Sequence, residues 1–211
     1  MWFASIGVGR VVTVHSLKNL GEANEMRSSI VVALVVSICA LNPAWGDVTW
    51  MTQLLTEWNF ECSAGTSLKT MQSYQVFQNH DRLWNFTCGG TDAKLTNATC
   101  EWSAYANDFN TQFLFQCPND GVIAGMASYH NNYDRRYQFL CCFPTGYIAH
   151  ACQFTPNVNS LGVFMSYRRP DNWYIRGVGS EWDRASNGYY DRVFSFSLCK
   201  LDKLVPSNCS V

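Results

Sequence analysis

Three segments of the chain alternate aromatic and polar side chains with period two and then close on cysteine. They read Asp81-Arg82-Leu83-Trp84-Asn85-Phe86-Thr87-Cys88, Asp134-Arg135-Arg136-Tyr137-Gln138-Phe139-Leu140-Cys141 and Asp191-Arg192-Val193-Phe194-Ser195-Phe196-Ser197-Leu198-Cys199. Side chains two apart on a strand share a face. Each segment is therefore expected to be a half-buried strand, with Arg82, Trp84, Phe86 and Cys88 on one side and their counterparts Arg135, Tyr137, Phe139 and Cys141 likewise. In the third copy one extra residue between Phe196 and Cys199 breaks the alternation, which predicts a bulge there.

An aromatic or apolar strand precedes each copy: Trp58-Asn59-Phe60-Glu61-Cys62, Phe113-Leu114-Phe115-Gln116-Cys117 and Trp173-Tyr174-Ile175-Arg176-Gly177. Gly-rich or polar turns such as Pro118-Asn119-Asp120-Gly121 and Ser186-Asn187-Gly188 separate the strands, and no segment carries the period of a long amphipathic helix. The expected fold is all-β, a single domain of three repeats at about 47–100, 101–157 and 158–211 with approximate three-fold symmetry. A β-prism hides its strand edges by closure, and so does the alternative, a β-trefoil.

The N-terminal 46 residues read differently. Met26-Arg27 opens a basic region, residues 30–41 are dominated by apolar side chains, and Ala44-Trp45-Gly46 offers small residues to a signal peptidase. The apolar run falls short of the roughly 20 residues that span a bilayer. Residues 26–46 are thus expected to be a cleaved signal peptide, an uncleaved anchor being the competing reading, with 1–25 an upstream extension and 47–211 the mature domain. That portion holds 12 Lys and Arg against 14 Asp and Glu, a net −2 that argues against nucleic-acid binding.

Nine cysteines follow the signal: 62, 88, 100, 117, 141, 142, 152, 199 and 209. In a secreted chain they form a disulfide framework, and the odd number leaves one over. Sequons at Asn85, Asn97 and Asn208 fit the same compartment. Asn85 falls on the strand side opposite Trp84 and Phe86, where a glycan can be carried.

The Asp-Arg-x-aromatic-x-aromatic repeats, the adjacent Cys141-Cys142 and the segment Trp173-Tyr174-Ile175-Arg176-Gly177 together resemble the dermatopontin family, over essentially all of 47–211. That family includes vertebrate matrix proteins and invertebrate haemagglutinins, aggregation factors, shell-matrix proteins and a cytotoxin. The resemblance implies disulfides Cys62 with Cys88, Cys100 with Cys141, Cys117 with Cys142 and Cys152 with Cys199. The family's fifth bond needs a cysteine where this chain has Ile148, so Cys209 is expected to be a free thiol or to link two chains into a dimer. The acidic, tyrosine-rich N-terminal stretch of vertebrate members is missing, since no tyrosine precedes Tyr74, and the chain looks closer to the invertebrate agglutinin branch.

Candidate sites follow from side-chain chemistry. Arg82, Arg135 and Arg192 could fork onto anionic oxygens. Their recurrence on the core side favours a structural role instead, each lying against the aromatic two residues on (Trp84, Tyr137, Phe194) and pairing with an aspartate at the turn, Asp81, Asp134 or Asp191. Arg168, Arg169 and Arg176 are the candidates for contacting glycosaminoglycan, beside a reading as solvated charges. Trp173 and Tyr174, with Tyr189 and Tyr190, could stack on sugar rings, although strand packing is the commoner use of such residues. His80, His130 and His150 are scattered without a partnered carboxylate or nucleophile, and the cysteines are better used in bridges than on a metal. No enzyme, cofactor or metal site is expected.

The functional expectation is a secreted, non-catalytic matrix or adhesion protein that binds glycosaminoglycans, proteoglycans or cell-surface glycans and bridges surfaces. The alternative is a structural matrix component that promotes collagen fibril organisation by protein contacts, and a membrane-damaging toxin is a third class.

Overall fold

The computed structural model describes residues 49–204, and the chain there is built around three long antiparallel hairpins. In chain order the strands are β1 (Trp58–Glu61), β2 (Leu68–Val76), β3 (Asp81–Cys88), β4 (Thr99–Trp102), β5 (Phe113–Gln116), β6 (Val122–Asn131), β7 (Asp134–Phe143), β8 (Tyr147–Phe154), β9 (Met165–Arg168), β10 (Tyr174–Arg184) and β11 (Tyr190–Lys203). One 3₁₀ turn, Phe77–Asn79, links β2 to β3. The expected all-β class holds, and the Asp-Arg strands are β3, β7 and β11, the second strand of each hairpin.

Each hairpin is extended by a short strand belonging to another. β1 precedes the first hairpin yet pairs with β6, β5 precedes the second yet pairs with β10, and β9 precedes the third yet pairs with β2. Lending is therefore cyclic. Three sheets result, β1-β6-β7-β4, β5-β10-β11-β8 and β3-β2-β9. All three hairpins carry a register shift at the same place, between Ile123 and Gly125, Ile175 and Gly177, and Leu68 and Thr70. The carbonyl of each skipped residue accepts from the end of the lent strand: Ala124 from Cys62 N, Arg176 from Cys117 N and Lys69 from Arg169 N. At Gly125 and Gly177 an added Cβ would lie 2.6 and 2.4 Å from the carbonyl oxygens of Phe60 and Phe115, so close strand approach requires glycine there.

Two sequence expectations need correction. The third lent strand is Met165–Arg168, while Trp173-Tyr174-Ile175-Arg176-Gly177 leads into and begins the third hairpin. Arg169 then stands where the other two lent strands place Cys62 and Cys117. The bulge expected between Phe196 and Cys199 also lies elsewhere. β11 keeps its alternation against β10 as far as Leu198, which takes the core place of Cys88 and Cys141. The extra residue is on β8, where Gln153 and His150 face Leu198 and Lys200.

The core is layered by the motif. Trp84, Tyr137 and Phe194 meet as a triangle of rings, with centroids 5.3, 5.9 and 6.4 Å apart in edge-to-face contacts. One layer on, Phe86, Phe139 and Phe196 each stack on a ring of a lent strand: Phe60 at 4.9 Å, Phe115 at 4.8 Å and Tyr167 at 4.6 Å. Trp84, Tyr137, Phe139, Phe194 and Phe196 are essentially inaccessible, and burial of a large apolar side chain stabilises by about 1.5–3 kcal/mol.

Disulfides close the layers. Cys62 bonds Cys88 and Cys117 bonds Cys141, each tying the end of a lent strand to a hairpin. Cys100 bonds Cys142 and Cys152 bonds Cys199, each joining a flanking strand to the hairpin beside it. The implied pairs Cys100–Cys141 and Cys117–Cys142 are thus exchanged. The reason is alternation: Cys142 is the direct cross-strand partner of Cys100 on β4, whereas Glu101 faces Cys141. Leu198 and Arg169 occupy the place of a third lent-strand bond.

Candidate functional site

The Asp-Arg pairs form a buried ring. Arg82 forks onto Asp191 at 2.7 and 2.8 Å, Arg192 onto Asp134 at 2.6 and 2.6 Å, and Arg135 onto Asp81 at 2.5 and 2.7 Å. Each motif therefore gives its arginine to one neighbour and its aspartate to the other. All six side chains are at most 3% exposed. Buried ions must be paired and fully hydrogen-bonded to be tolerated. Further hydrogen bonds tie the ring to the loops ahead of the lent strands. Asp81 accepts from Leu55 N, Asp134 from Asn110 N and Asp191 from Gly162 N. Those three residues have φ of 61°, 61° and 74°, so each carboxylate fixes a left-handed turn. Arg135 donates to the carbonyl of Thr56, Arg192 to that of Thr111 and Arg82 to that of Val163.

Each arginine thus pairs with a turn aspartate as expected, but for Arg135 and Arg192 the expected ring is corrected. The stacked rings belong to other elements, Trp58 for Arg135 and Phe113 with Tyr137 for Arg192. The residue before each aspartate caps the ring: His80, Tyr133 and Tyr190 have centroids 4.7 to 6.1 Å apart. Beneath them lies a cavity of about 20 Å³, far smaller than any organic substrate. The motif is a clamp rather than a binding site. Among the described residues no cluster of His, Cys, Asp and Glu could hold a metal ion.

The predicted glycosaminoglycan set divides between exposed and buried positions. Arg168 is exposed, 66% at its side chain, with Asp171 at 4.0 Å. Arg169 is buried and donates to the carbonyls of Leu68 and Trp173 and to Ser67 Oγ, so it serves the fold. Burial also holds its guanidinium below the ordinary arginine range. Arg176 is half-buried against the Cys117 carbonyl and 4.0 Å from Asp120. Trp173 packs on the core with the Lys200 ammonium over its ring. Tyr174 is buried and donates to Asp92, and burial with that bond pushes its hydroxyl well above the usual range. Only Arg168 of the five presents its functional group openly.

Of the sequons, Asn97 is exposed, and Asn85 is half-buried on the outer face of β3, its amide donating to Gln72 at 3.2 Å. Asn208 and Cys209 lie outside the described residues, as do the signal-peptide and upstream segments.

The outer faces of the sheets hold residues that lie outside the Asp-Arg motif. On the β1-β6-β7-β4 sheet an open groove of about 320 Å³ is lined by Glu57, Asn59, Tyr105, Ala127, Tyr129 and Gln138, together with Trp58 and Ser128. Tyr105 is 40% exposed, with the Arg136 guanidinium 4.5 Å from its ring and Tyr129 edge-on at 5.3 Å. The signal was available: Glu57, Asn59, Tyr129 and Gln138 are the outward members of the same alternation that marks the core.

These features define an all-β, disulfide-stapled domain whose repeated charge pairs are structural. The chain belongs to the dermatopontin family: the family model described as dermatopontin matches residues 52–203. It is similar to the hemagglutinin/amebocyte aggregation factor of Limulus polyphemus, 34% identical over 182 residues, 83% of this chain and 98% of that protein. Dermatopontin of Biomphalaria glabrata is 33% identical over 144 residues, 67% of this chain and 93% of its own length. Millepora cytotoxin-1 of Millepora dichotoma is 31% identical over 142 residues, 66% of this chain and 61% of its own length. No solved structure matches the chain.

Proposed function

We propose that this chain is a secreted, non-catalytic adhesion protein that binds glycans of cell surfaces or matrix and bridges the bodies that carry them. One observation carries the reading: the chain matches an agglutinating and cell-aggregating protein over 98% of that protein's length, so likeness extends across the whole relative. Four disulfides fit an oxidising compartment, and among the described residues no helix is long and apolar enough to cross a membrane. Contact with a sulfated glycosaminoglycan falls to Arg168, the one candidate arginine with an exposed head group.

Red-cell agglutination and retention on immobilised glycans test the proposal together. Agglutination that soluble glycan inhibits is expected, with weaker heparin retention after Arg168→Ala. Absence of both agglutination and retention contradicts it. Collagen fibril formation that the protein accelerates regardless of glycan competitor would favour the structural matrix role instead.

A further inference from the structure

We propose that the groove on the outer face of the β1-β6-β7-β4 sheet is an uncharged-sugar subsite, with Tyr105 as its stacking platform and Glu57, Asn59 and Gln138 as its hydroxyl partners. This rests on the glycan-binding reading and supplies it with a place and a sugar class. The chemistry of the wall selects the ligand. A pyranose presents an apolar C–H face and a rim of hydroxyls, which calls for an exposed ring beside groups that accept and donate hydrogen bonds. Tyr105 is held by Arg136 and Tyr129, so its ring is placed before any ligand arrives. Gln138 is likewise fixed, its amide nitrogen donating to the Ser103 carbonyl at 2.8 Å. Ala127 supplies a low floor between them.

Charge sets the class. The exposed Glu57 carboxylate lines the groove and Glu61 stands on the same outward side of β1, so sulfate or carboxylate groups are repelled. Arg136, the cation over the Tyr105 ring, is committed to the Asn107 carbonyl and to Asp108. A neutral hexose or N-acetylhexosamine fits; a glycosaminoglycan does not.

The corresponding places on the other sheets differ in an informative way. Gln138, Asn85 and Ser195 are equivalent, each opposite Ala127, Gln72 or Gly179. On the β3-β2-β9 sheet that position is the sequon Asn85, near a Trp50–Tyr74 ring pair at 6.4 Å. There the sugar would be the protein's own. On the β5-β10-β11-β8 sheet Asn157 and Glu181 stand where Tyr105 and Tyr129 do, and the ring that lines that groove, Phe113, is buried.

The test uses the purified full chain on a glycan array carrying galactose-, mannose- and N-acetylhexosamine-terminated oligosaccharides beside heparin fragments. Binding to at least one neutral group is expected, not displaced by heparin. Tyr105→Ala should weaken it about tenfold and Tyr105→Phe about twofold at most, since the ring is what stacks. Ala127→Leu, which fills the floor, should abolish it should Tyr105→Ala fail to fold. Neutral-glycan binding that survives Tyr105→Ala and Ala127→Leu in folded protein overturns the groove and leaves the adhesion reading standing. Binding to heparin fragments alone does the same. No binding to any glycan, with no agglutination, overturns both.

Discussion

At the scale of single residues, the consequential finding is that the charged half of the motif points inward. Six ionised side chains at or below 3% exposure would be costly individually, and they are tolerated because every arginine is forked and every aspartate also accepts a backbone N–H. Removing one partner is therefore far worse than never having had the pair. Asp81→Ala, which strands Arg135 and frees Leu55 N, should cost about 3–5 kcal/mol in denaturant unfolding, and Asp81→Leu combined with Arg135→Met should recover much of it. Equal losses from the single and the double variant would argue that the pair carries no buried-charge penalty. Sequence already suggested that these arginines are structural, because three copies of one charge on core-facing positions rarely mean three ligand sites. It could not reveal which aspartate each one meets. The partners are 54, 58 and 109 positions apart, and only the closed fold brings them together.

At the scale of elements, alternation alone located β3, β7 and β11, whereas pairing between strands was hidden. Trp173-Tyr174-Ile175 imitates the aromatic spacing of a lent strand, and the true one, Met165–Arg168, has a single ring and ends beside Arg169 rather than a cysteine. Periodicity follows the pleat and says nothing of the neighbour. Adjacent cysteines pose the same difficulty: Cys141 and Cys142 point to opposite sides, so an error of one residue exchanges their partners. Partial reduction followed by cyanylation, which cleaves the chain before each freed cysteine, should recover Cys100–Cys142 and Cys117–Cys141 linkages. Recovery of Cys100–Cys141 would refute the register of β4 on β7. Each of these crosslinks closes a loop worth about 3–4 kcal/mol in the chain-entropy model. The outward residues of the same strands were equally legible, yet a groove is visible only when Tyr105, from the loop after β4, is brought beside Tyr129 and Gln138.

At the scale of the whole molecule, cyclic lending and the charged ring make each hairpin depend on both others. No hairpin keeps its flanking strand, its arginine partner and its aspartate partner within its own stretch of chain. Such a body should open as one unit and present its outer faces at fixed angles, which is what several weak surface contacts need in order to act together. Native-state hydrogen exchange on the disulfide-intact protein, wild type against Asp81→Asn, tests this closure most directly. The amides of Trp84, Tyr137 and Phe194, one from each hairpin, should share a common opening free energy and lose the same amount in the variant. Protection of Phe194 that stays at its wild-type level while Trp84 and Tyr137 lose theirs would contradict it.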